Sequence, residues 1–535
     1  MPTPLEYVYR SLERLRHIQR SARYYIPAVW IPPHRCGGIR LLHCPAEYYH
    51  AIVGDILRYS PRSDRSRSLG RDDLVYAMLI RHTTAWDHDL SGTISYTLGR
   101  DHWRQTGSFL KSIALLPYLR WLGVTTLLLL PPTEHGRARV KGTLGSPYAP
   151  RNHCALEETL AEPILDLDAS IQFAAFVEAC HRMNIHVIVE LALRVAALDC
   201  HLIPEHPEWF YWVRLDDNDD GVLVPPTFSS EQLATIHQCI KRNEFHSLPE
   251  PALSYRERFV EPPQRVWQRS DGTFVGQTND GFLCTVPNAF ADFPPDDTQP
   301  LWTDITYFRL HTHPAYNYIA YNTVRYYSEE LRGWENHSLW EYLASAATTF
   351  IRHAGCDGIM LDMGHAFPIE LHQQILSSVR RVTDNTILIE ECFDRTTQTA
   401  RTLGYDAIVG DVWHHARTPS DLRQYALQTC GTDILPCFAA ADTHNTPRIA
   451  QQGLSVALFA VSVCSHLHRT VPFITSGSEF GETEPINTGL DFSPEEAAQY
   501  PSDQLPLFSG RTLRWHTPDW RILNFVRMLY AKNAP

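Results

Sequence analysis

Eight short runs of β-branched and apolar residues recur along this chain, and they constrain its fold more than any other feature. The runs begin at residues 75, 125, 186, 358, 386, 407, 434 and 471. Stretches with the spacing of amphipathic helices, such as SIQFAAFVEACHRMN and SLWEYLASAATTFIRHAG, lie between them. Strands that alternate with helices in this way imply a parallel sheet.

Eight such repeats predict an α/β fold in which the sheet closes into a TIM (β/α)8 barrel with its site at the strand C-termini. One gap breaks the spacing: about 160 residues separate the third and fourth runs. That length is far beyond an ordinary connection and predicts a long insertion after strand 3. We assign residues 1–72 to an N-terminal extension, 73–198 and 336–535 to the barrel, and 199–335 to a subdomain inserted between strand 3 and helix 3.

Two of the apolar runs end abruptly in a carboxylate. GIMLD ends at Asp362, and TILIEE ends at Glu390 and Glu391. A buried parallel strand that ends in a carboxylate delivers it to a solvent-facing site. Two carboxyl groups on neighbouring strand ends suit double-displacement glycoside chemistry, in which one attacks the anomeric carbon and the other transfers protons. The sequence therefore predicts a sugar enzyme with carboxyl groups about 5 to 5.5 Å apart.

Charge and composition exclude other classes of protein. The formal net charge of -13 argues against nucleic-acid binding, and the locally basic segment Pro61 to Arg71 is Ser-rich, as solvated loops are. No apolar stretch reaches the roughly 20 residues that span a bilayer, and the N-terminus has no apolar signal region. Twelve cysteines are scattered without a CxxC pair. We therefore expect a cytoplasmic protein without membrane or nucleic-acid partners.

The predicted insertion is rich in aromatic residues, as in PEWFYWVR and VWQRSDGTF. Tyrosine and tryptophan stack on sugar rings while their polar tips form hydrogen bonds. The pattern therefore fits a glycan-binding cleft. The same residues also fit a second interpretation, in which they pack the interior of a small subdomain.

Several phrases occur in the order found in the α-amylase superfamily (glycoside hydrolase family 13). They are TTAWDHD, LLPP followed by KGTLGSPYAPRN, RVAALDCHLIPEHPEWFYW, LDMGHAFP, IEECFD, THNTPR and SGSEFGETEPINTGLDF. Over roughly residues 75 to 530 the chain resembles this superfamily, and within it most closely the 1,4-α-glucan maltosyltransferase group. Because one fold supports many activities, the resemblance implies the fold more strongly than the reaction.

The resemblance assigns roles to individual residues. It implies that Asp362 is the nucleophile and that Glu391 is the general acid/base, with Glu390 as the competing candidate. Phe393 favours Glu391, because the family has an aromatic residue two positions after this glutamate. The substrate-binding positions that the resemblance implies are Tyr148, Arg194, His365, Asp442, His444 and Arg448, with Tyr148 as a stacking platform.

This sequence departs from the family pattern at three places. Met360 replaces an arginine that orients the nucleophile, and Asn445 occupies the catalytic position of the family's third carboxylate. In the strand-three motif Glu190, Arg194 and Val195 replace the usual Asp, Asn and His. We expect Arg194 to supply the cation that Met360 does not, through an ion pair with Asp362 or Glu391.

The resemblance implies a retaining enzyme that transfers maltosyl or short maltodextrin units between 1,4-α-glucans. Two alternatives stay open: a hydrolase of the same family and a catalytically impaired glucan-binding paralogue. A phosphate-using transferase needs basic groups near the acceptor, and Lys141, Arg151 and Arg194 are available. Relatives commonly continue into a β-sandwich after the last barrel helix, so this domain is either absent or removed.

No cofactor is expected for this chemistry. Asp87, Asp89 and Ser91 alternate as they do in calcium loops, but no glutamate occupies the twelfth position, so a hydrogen-bonded turn is favoured over structural calcium. The 27 histidines form no HExxH motif, and the cysteines have no paired spacing that indicates zinc.

Overall fold

A closed barrel of eight parallel strands forms the centre of the computed structural model, as the sequence predicts. The structure describes residues 2–18, 24–60, 69–99, 101–215, 222–242, 244–290, 302–320, 329–393, 398–429 and 435–531. Residues 61–68 of the basic segment lie outside this range. The barrel strands β1 to β8 are Val75–Met78, Thr126–Leu129, His186–Leu191, Gly358–Leu361, Ile387–Glu390, Ala407–Ile408, Cys437–Ala440 and Thr470–Thr475.

Each barrel strand pairs in parallel with the next in the chain, and β8 pairs with β1 to close the sheet. A helix follows each strand on the outside of the barrel. The first of these helices has Ser108 as its N-cap, whose side chain accepts a hydrogen bond from the Lys111 amide, and Gly123 as its C-cap, with φ of 103°. In chain order the helices are Phe109–Leu122, Ala169–Arg182, His337–Ala346 with Thr349–Ala354, Ile369–Val382, Gln398–Leu403, Pro419–Thr429, Leu454–Cys464 and Trp520–Tyr530.

Side chains along each strand alternate between the barrel interior and the layer of helices. Ile188, Met360 and Ile389 pack together inside the barrel. Their strand neighbours Leu361 and Leu388 pack outward against the helices. Both faces of the strands are therefore buried, which explains the nearly continuous apolar runs in the sequence.

The N-terminal residues cover one side of the barrel. Helices Pro4–Ile18 and Pro45–Leu57 pack on each other and on the barrel helix Ala169–Arg182. Strands Tyr24–Pro27 and Ile39–Leu42 form an antiparallel pair between them. Tyr24 stacks on His88 in the loop after β1, with ring centroids 4.4 Å apart, and this contact joins the N-terminal segment to the barrel.

The long segment between β3 and β4 contains a sheet of its own. Five antiparallel strands pair in the order Phe259–Val260, Trp212–Arg214, Leu283–Thr285, Phe274–Gln277 and Arg265–Gln268. Helix Ser230–Arg242 lies in the same segment. Strand Ile305–Tyr307 returns to pair with Val195–Ala197, which directly follows β3. This pairing brings the insertion to the C-terminal end of the barrel. In the described part of the chain, no helix is both long and apolar enough to cross a membrane.

Candidate active site

An open cavity lies at the C-terminal ends of the barrel strands. Five of the residues that the sequence assigns to a site line this cavity. The insertion supplies a second part of the wall, which includes Trp302 and Tyr307. The five residues from the barrel side are Tyr148, Arg194, Asp362, Glu391 and Asn445.

Strand geometry delivers Asp362 and Glu391 to the same cavity. The Asp362 amide donates a hydrogen bond to the Leu191 carbonyl of β3 at 3.2 Å. The Glu391 amide donates to the Leu361 carbonyl of β4 at 3.0 Å. Each residue therefore extends the hydrogen bonding between neighbouring barrel strands one position beyond the end of its own strand. Next along the chain, Met363 has φ of 48°, a left-handed conformation that is uncommon for methionine. This turn aims the Met363 amide at Oε2 of Glu391, 2.6 Å away. The backbone beside Asp362 therefore holds the Glu391 carboxylate.

Glu390 and Glu391 are neighbours in sequence, but they have different surroundings. The Glu390 side chain points out of the barrel towards the helices, as the Leu388 side chain does. It packs against Gly364, and its carboxyl oxygen lies 4.0 Å from Nε2 of His372. Burial raises the pKa of Glu390 to about 7. Because side chains alternate along β5, only Glu391 faces the cavity.

A hydrogen-bonded chain joins three strand ends below the cavity. The Tyr148 hydroxyl donates to Oε1 of Glu190 at 2.9 Å and lies 2.9 Å from Nε2 of His444. The Tyr148 and His444 rings are nearly parallel, at an angle of 8°. Burial lowers the pKa of His444 to about 4, with a further contribution from the charge of Arg448. A neutral His444 therefore donates from Nε2 to the Tyr148 oxygen.

Glu190, at the end of β3, is completely buried. Burial raises its pKa well above the ordinary value, and the negative charges of Asp362 and Glu391 raise it further. The sequence identified Glu190 as part of the strand-three motif but did not assign it to the site. Its signal is a single carboxyl group inside an otherwise apolar run, HVIVELAL, at a position that the strand places in the barrel interior.

Arg194 also lines the cavity, and only 6% of its surface is exposed. Its guanidinium carbon lies 5.1 Å from the centre of the Tyr307 ring, within the range of a cation–π contact. The Arg194 carbonyl accepts a hydrogen bond from the Phe308 amide at 3.2 Å, so the insertion fixes this loop. The expected ion pair between Arg194 and a catalytic carboxylate stays a prediction, as does the separation of the Asp362 and Glu391 carboxyl groups.

Asn445 belongs to an amide pair at the cavity wall. Its Oδ1 accepts a hydrogen bond from Nδ2 of Asn487 at 2.9 Å, and its carbonyl accepts from the Leu490 amide at 2.6 Å. Gly489 also lines the wall, and a side chain there would lie 3.0 Å from Oδ1 of Asn445. The loop after β8 therefore holds Asn445 in place, which the sequence alone did not indicate.

The structure places Asp442 and Arg448 beneath the cavity lining. Asp442 accepts hydrogen bonds from the Ile449 amide and the Ser478 hydroxyl, and Arg448 donates to the Ser476 carbonyl and to the Ser478 hydroxyl. Their charged groups lie 3.9 Å apart. This buried pair joins the loops after β7 and β8 and is not part of the cavity lining, so we assign it a supporting role; a direct contact with substrate stays a prediction.

His365 also lies outside the cavity lining. Its Nδ1 is 3.0 Å from the Glu391 carbonyl oxygen, and its ring packs near Phe393. These contacts position the turn after β4 against the end of β5. The side chain therefore supports the backbone of Glu391, and the substrate contact that the resemblance implies stays a prediction.

The loop with Asp87, Asp89 and Ser91 forms a hydrogen-bonded turn. Asp87 accepts from the Ser91 amide at 3.1 Å and from the Gly92 amide at 2.6 Å, and Asp89 accepts from the Ser91 amide at 3.0 Å. Backbone amides therefore donate to three of the carboxylate oxygens that the sequence suggests as calcium ligands. Among the described residues, no group of three His, Cys, Asp or Glu side chains has metal-binding geometry.

Comparison with known proteins gives partial sequence matches to two curated relatives and many similar folds. No protein-family model matches the chain. A segment of 141 residues is 33% identical to an α-1,4-glucan:maltose-1-phosphate maltosyltransferase of Cereibacter sphaeroides. The matched segment covers 24% of this chain and 23% of the relative. The chain thus spans about a quarter of the length of the curated relative that it matches.

Two solved structures show the similarity in fold. A maltogenic α-amylase from Thermotoga neapolitana superposes with a TM-score of 0.50 at 16% identity, over 87% of this chain and 77% of that chain. A cyclic α-maltosyl-(1→6)-maltose hydrolase from Arthrobacter globiformis superposes with a TM-score of 0.50 at 12% identity, over 87% of this chain and 83% of that chain. At these identities the comparison confirms the barrel fold.

Proposed function

We propose that this chain, which has the fold of the α-amylases, belongs to the α-amylase superfamily and acts on α-1,4-glucans with retention of configuration. One observation carries the proposal: Asp362 and Glu391 come from neighbouring strands into one cavity, whereas Glu390 turns away from it. Retaining glycoside chemistry needs a nucleophilic carboxylate and a second carboxyl group that transfers protons.

In the first step an Asp362 oxygen attacks the anomeric carbon of the donor. The glycosidic bond breaks, and the leaving oxygen takes the proton of Glu391. In the second step an acceptor hydroxyl attacks the same carbon, gives its proton to Glu391 and releases Asp362. The Met363 amide bonds to Oε2 of Glu391 and so keeps the acid/base group in place through both steps.

Maltosyl or short maltodextrin transfer is the reaction that we favour. The partial match to a maltosyltransferase supports it, as does Trp302, whose partly exposed ring lines the cavity and suits the stacking of a sugar unit. Hydrolysis follows the same two steps with water as the acceptor. The choice depends on how well the occupied cavity excludes water.

A catalytically impaired glucan-binding protein is the second candidate. Met360 and Asn445 favour it, because they replace two charged groups that the resemblance leads us to expect around the reacting sugar. A buried nucleophile needs stabilisation of its charged form by hydrogen bonds or a nearby cation. We propose that Arg194, which lines the same cavity, supplies part of this stabilisation.

The product pattern from maltotetraose, with and without inorganic phosphate, tests these candidates. We expect a ladder of products in steps of two glucose units, which Asp362→Asn abolishes while glucan binding persists. Simple shortening of maltotetraose would show hydrolysis. Binding without any product would identify the impaired paralogue. If phosphate changes the ladder, the activity of this chain would depend on phosphate, in keeping with the maltose 1-phosphate in the name of the partly matching relative.

We further propose that the protein works in the cytoplasm. None of the cysteines in the described part of the chain is in a disulfide, and seven of them are buried. Reduced cysteines that pack in this way are typical of a reducing compartment. Thiol titration of the denatured, unreduced protein purified from its source tests this, and fewer reactive thiols than cysteines would contradict it.

A further inference from the structure

Lys141 is not part of the cavity lining, but it contacts an aromatic ring that is. Its ammonium lies over the Trp302 ring, 4.2 Å from the ring centre, and 4.4 Å from the centre of the Phe508 ring. Both distances are within the range of a cation–π contact. The Trp302 and Phe508 rings also meet edge to face, with centroids 5.8 Å apart. Side chains from the loop after β2, the insertion and the loop after β8 therefore form one cluster.

Backbone contacts fix the segment that carries Lys141. The Leu144 amide donates to the Phe508 carbonyl at 2.8 Å. Oδ2 of Asp304, a buried residue of the insertion, accepts from the Lys141 amide at 3.2 Å and from the Ser146 amide at 2.9 Å. The segment is therefore tied both to the loop after β8 and to the insertion, and Lys141 lies where the two meet.

The next residue, Gly142, permits this close packing. Its φ is 65°, a left-handed conformation that favours glycine. A Cβ atom at this position would lie only 2.7 Å from Cβ of Phe508. Any other residue would therefore displace Phe508 from the backbone beside Lys141. This geometry explains the KG pair that opens the phrase KGTLGSPYAPRN.

The surroundings of Lys141 strengthen its contact with the rings. Burial lowers the pKa of Lys141 to about 8, while the negative charge of Asp304 acts in the opposite direction. The ammonium therefore stays mostly protonated at pH 7. A partly desolvated cation gains more from an aromatic ring than an exposed cation does. Trp302 is only partly buried, so its ring depends on such contacts for a fixed orientation.

We propose that Lys141 is a positioning residue, which holds the Trp302 ring from one face so that the opposite face stays aligned for a sugar unit in the cavity. This inference rests on the proposed function, because Trp302 is the proposed stacking surface for the glucan. It makes the loop after β2 a determinant of glucan affinity that acts through the ring. Lys141 thereby has a use other than the phosphate contact for which the sequence makes it available.

Replacements of Lys141 test this role in steady-state kinetics with maltodextrins at pH 7. We expect Lys141→Met to raise KM by about two- to tenfold and to change kcat by less than about twofold, because a binding surface moves and the reacting groups do not. Lys141→Arg keeps a cation over the rings and should leave KM within about twofold of wild type. Lys241→Met, at an exposed position of helix Ser230–Arg242, is the matched control and should leave KM unchanged. Thermal unfolding establishes that the variants are folded.

A double-mutant cycle separates positioning from direct contact with the substrate. In the Trp302→Ala background Lys141→Met should not raise KM further, because the ring through which Lys141 acts is gone. An equal rise in both backgrounds would show that Lys141 contacts the substrate itself and would overturn the proposal. A wild-type KM for Lys141→Met would overturn it too, as would an Arg variant as impaired as the Met variant.

Binding measurements separate this inference from the proposed function. If the wild-type protein binds maltotetraose but forms no product, the proposed reaction fails, and the same cycle measured by calorimetry as dissociation constants still decides the role of Lys141. If an active enzyme shows no coupling between Lys141 and Trp302, the positioning role fails and the reaction stands. A wild-type protein that does not bind maltotetraose would contradict both.

Discussion

A single step along β5 separates two glutamates with different chemistry. Glu391 faces the cavity and accepts the Met363 amide, whereas Glu390 is buried beside His372. We expect Glu391→Gln to lower kcat by about 10²- to 10⁴-fold, the usual contribution of general acid–base catalysis. Glu390→Gln should change kcat by less than about threefold, because an outward side chain does not reach the sugar. Steady-state rates on maltodextrins measure both variants, and the reverse order would exchange the two assignments.

A substitution of Asn445 tests whether charge at this position affects the reaction. Oδ1 of Asn445 already accepts a hydrogen bond from Asn487, and a carboxylate at this position would keep that bond. The added negative charge would lie near the positive charge that develops on the reacting sugar. We therefore expect Asn445→Asp to raise kcat by about tenfold. An unchanged or lower kcat, measured in a variant with wild-type thermal stability, would show that Asn445 does not act on the transition state.

Strand elements follow from the sequence more directly than the site does. All eight barrel strands lie where apolar runs predict them, because burial on both faces leaves a continuous signal. The same runs place Asp362 and the pair Glu390 and Glu391 at strand ends, but they do not decide between the two glutamates. The family pattern around Phe393 favours Glu391 at the sequence level, and the alternation of side chains along β5 explains why it faces the cavity.

Loop residues were less predictable. Asp442, Arg448 and His365 belong to motifs after β7 and β4, but their directions depend on contacts with Ser478 and with the Glu391 backbone. Such contacts join segments far apart in the chain. The same reason explains why no local signal distinguishes Trp302, which lines the cavity, from other aromatic residues of the insertion.

The insertion can be tested through two of its tryptophans. Trp302 lines the cavity, with the Lys141 ammonium 4.2 Å from its ring centre, whereas Trp267 lies on an outer strand of the inserted sheet and is 44% exposed. We expect Trp302→Ala to raise KM for maltodextrins by about two- to tenfold, as the loss of a stacking contact of about 0.5–1.5 kcal/mol implies. Trp267→Ala is the matched control and should leave KM unchanged. Equal effects of the two changes would assign Trp302 to packing alone.

At the scale of the whole molecule, buried histidines couple stability to pH. Burial lowers the pKa of five of them to about 4, below the ordinary value of 6.5. Between these values the unfolded chain binds protons that the folded chain does not, so the free energy of unfolding falls as pH falls from about 6.5 towards 4. The five are His82, His153, His311, His372 and His444.

Buried glutamates act in the opposite direction. Burial raises the pKa values of Glu390 and Glu479 to about 7 and also raises the pKa of Glu190, so their contribution to stability is lost as pH rises. Burial raises the pKa of Asp73, Asp199 and Asp442 in the same way, and it lowers the pKa of three further histidines, His34, His50 and His135. The eight histidines outnumber these six carboxyl groups. We therefore expect Tm to fall between about pH 6.5 and 4.5. Thermal unfolding at low salt measures this, and a Tm that rises over that interval would contradict the histidine assignment.

The central claim is that Asp362 forms a covalent bond to sugar while Glu391 transfers protons. Incubation of the Glu391→Gln variant with α-maltosyl fluoride, followed by mass spectrometry of its peptides, tests this claim directly. Fluoride is a good leaving group and needs no proton from Glu391, so the first step still proceeds in the variant. In the second step water or the acceptor hydroxyl has no general base to take its proton, so the covalent intermediate should accumulate. The account predicts one maltosyl unit on the peptide that contains Asp362, and none when Asp362→Asn is added. An unmodified protein that nevertheless binds the fluoride, or an adduct at another residue, would contradict it.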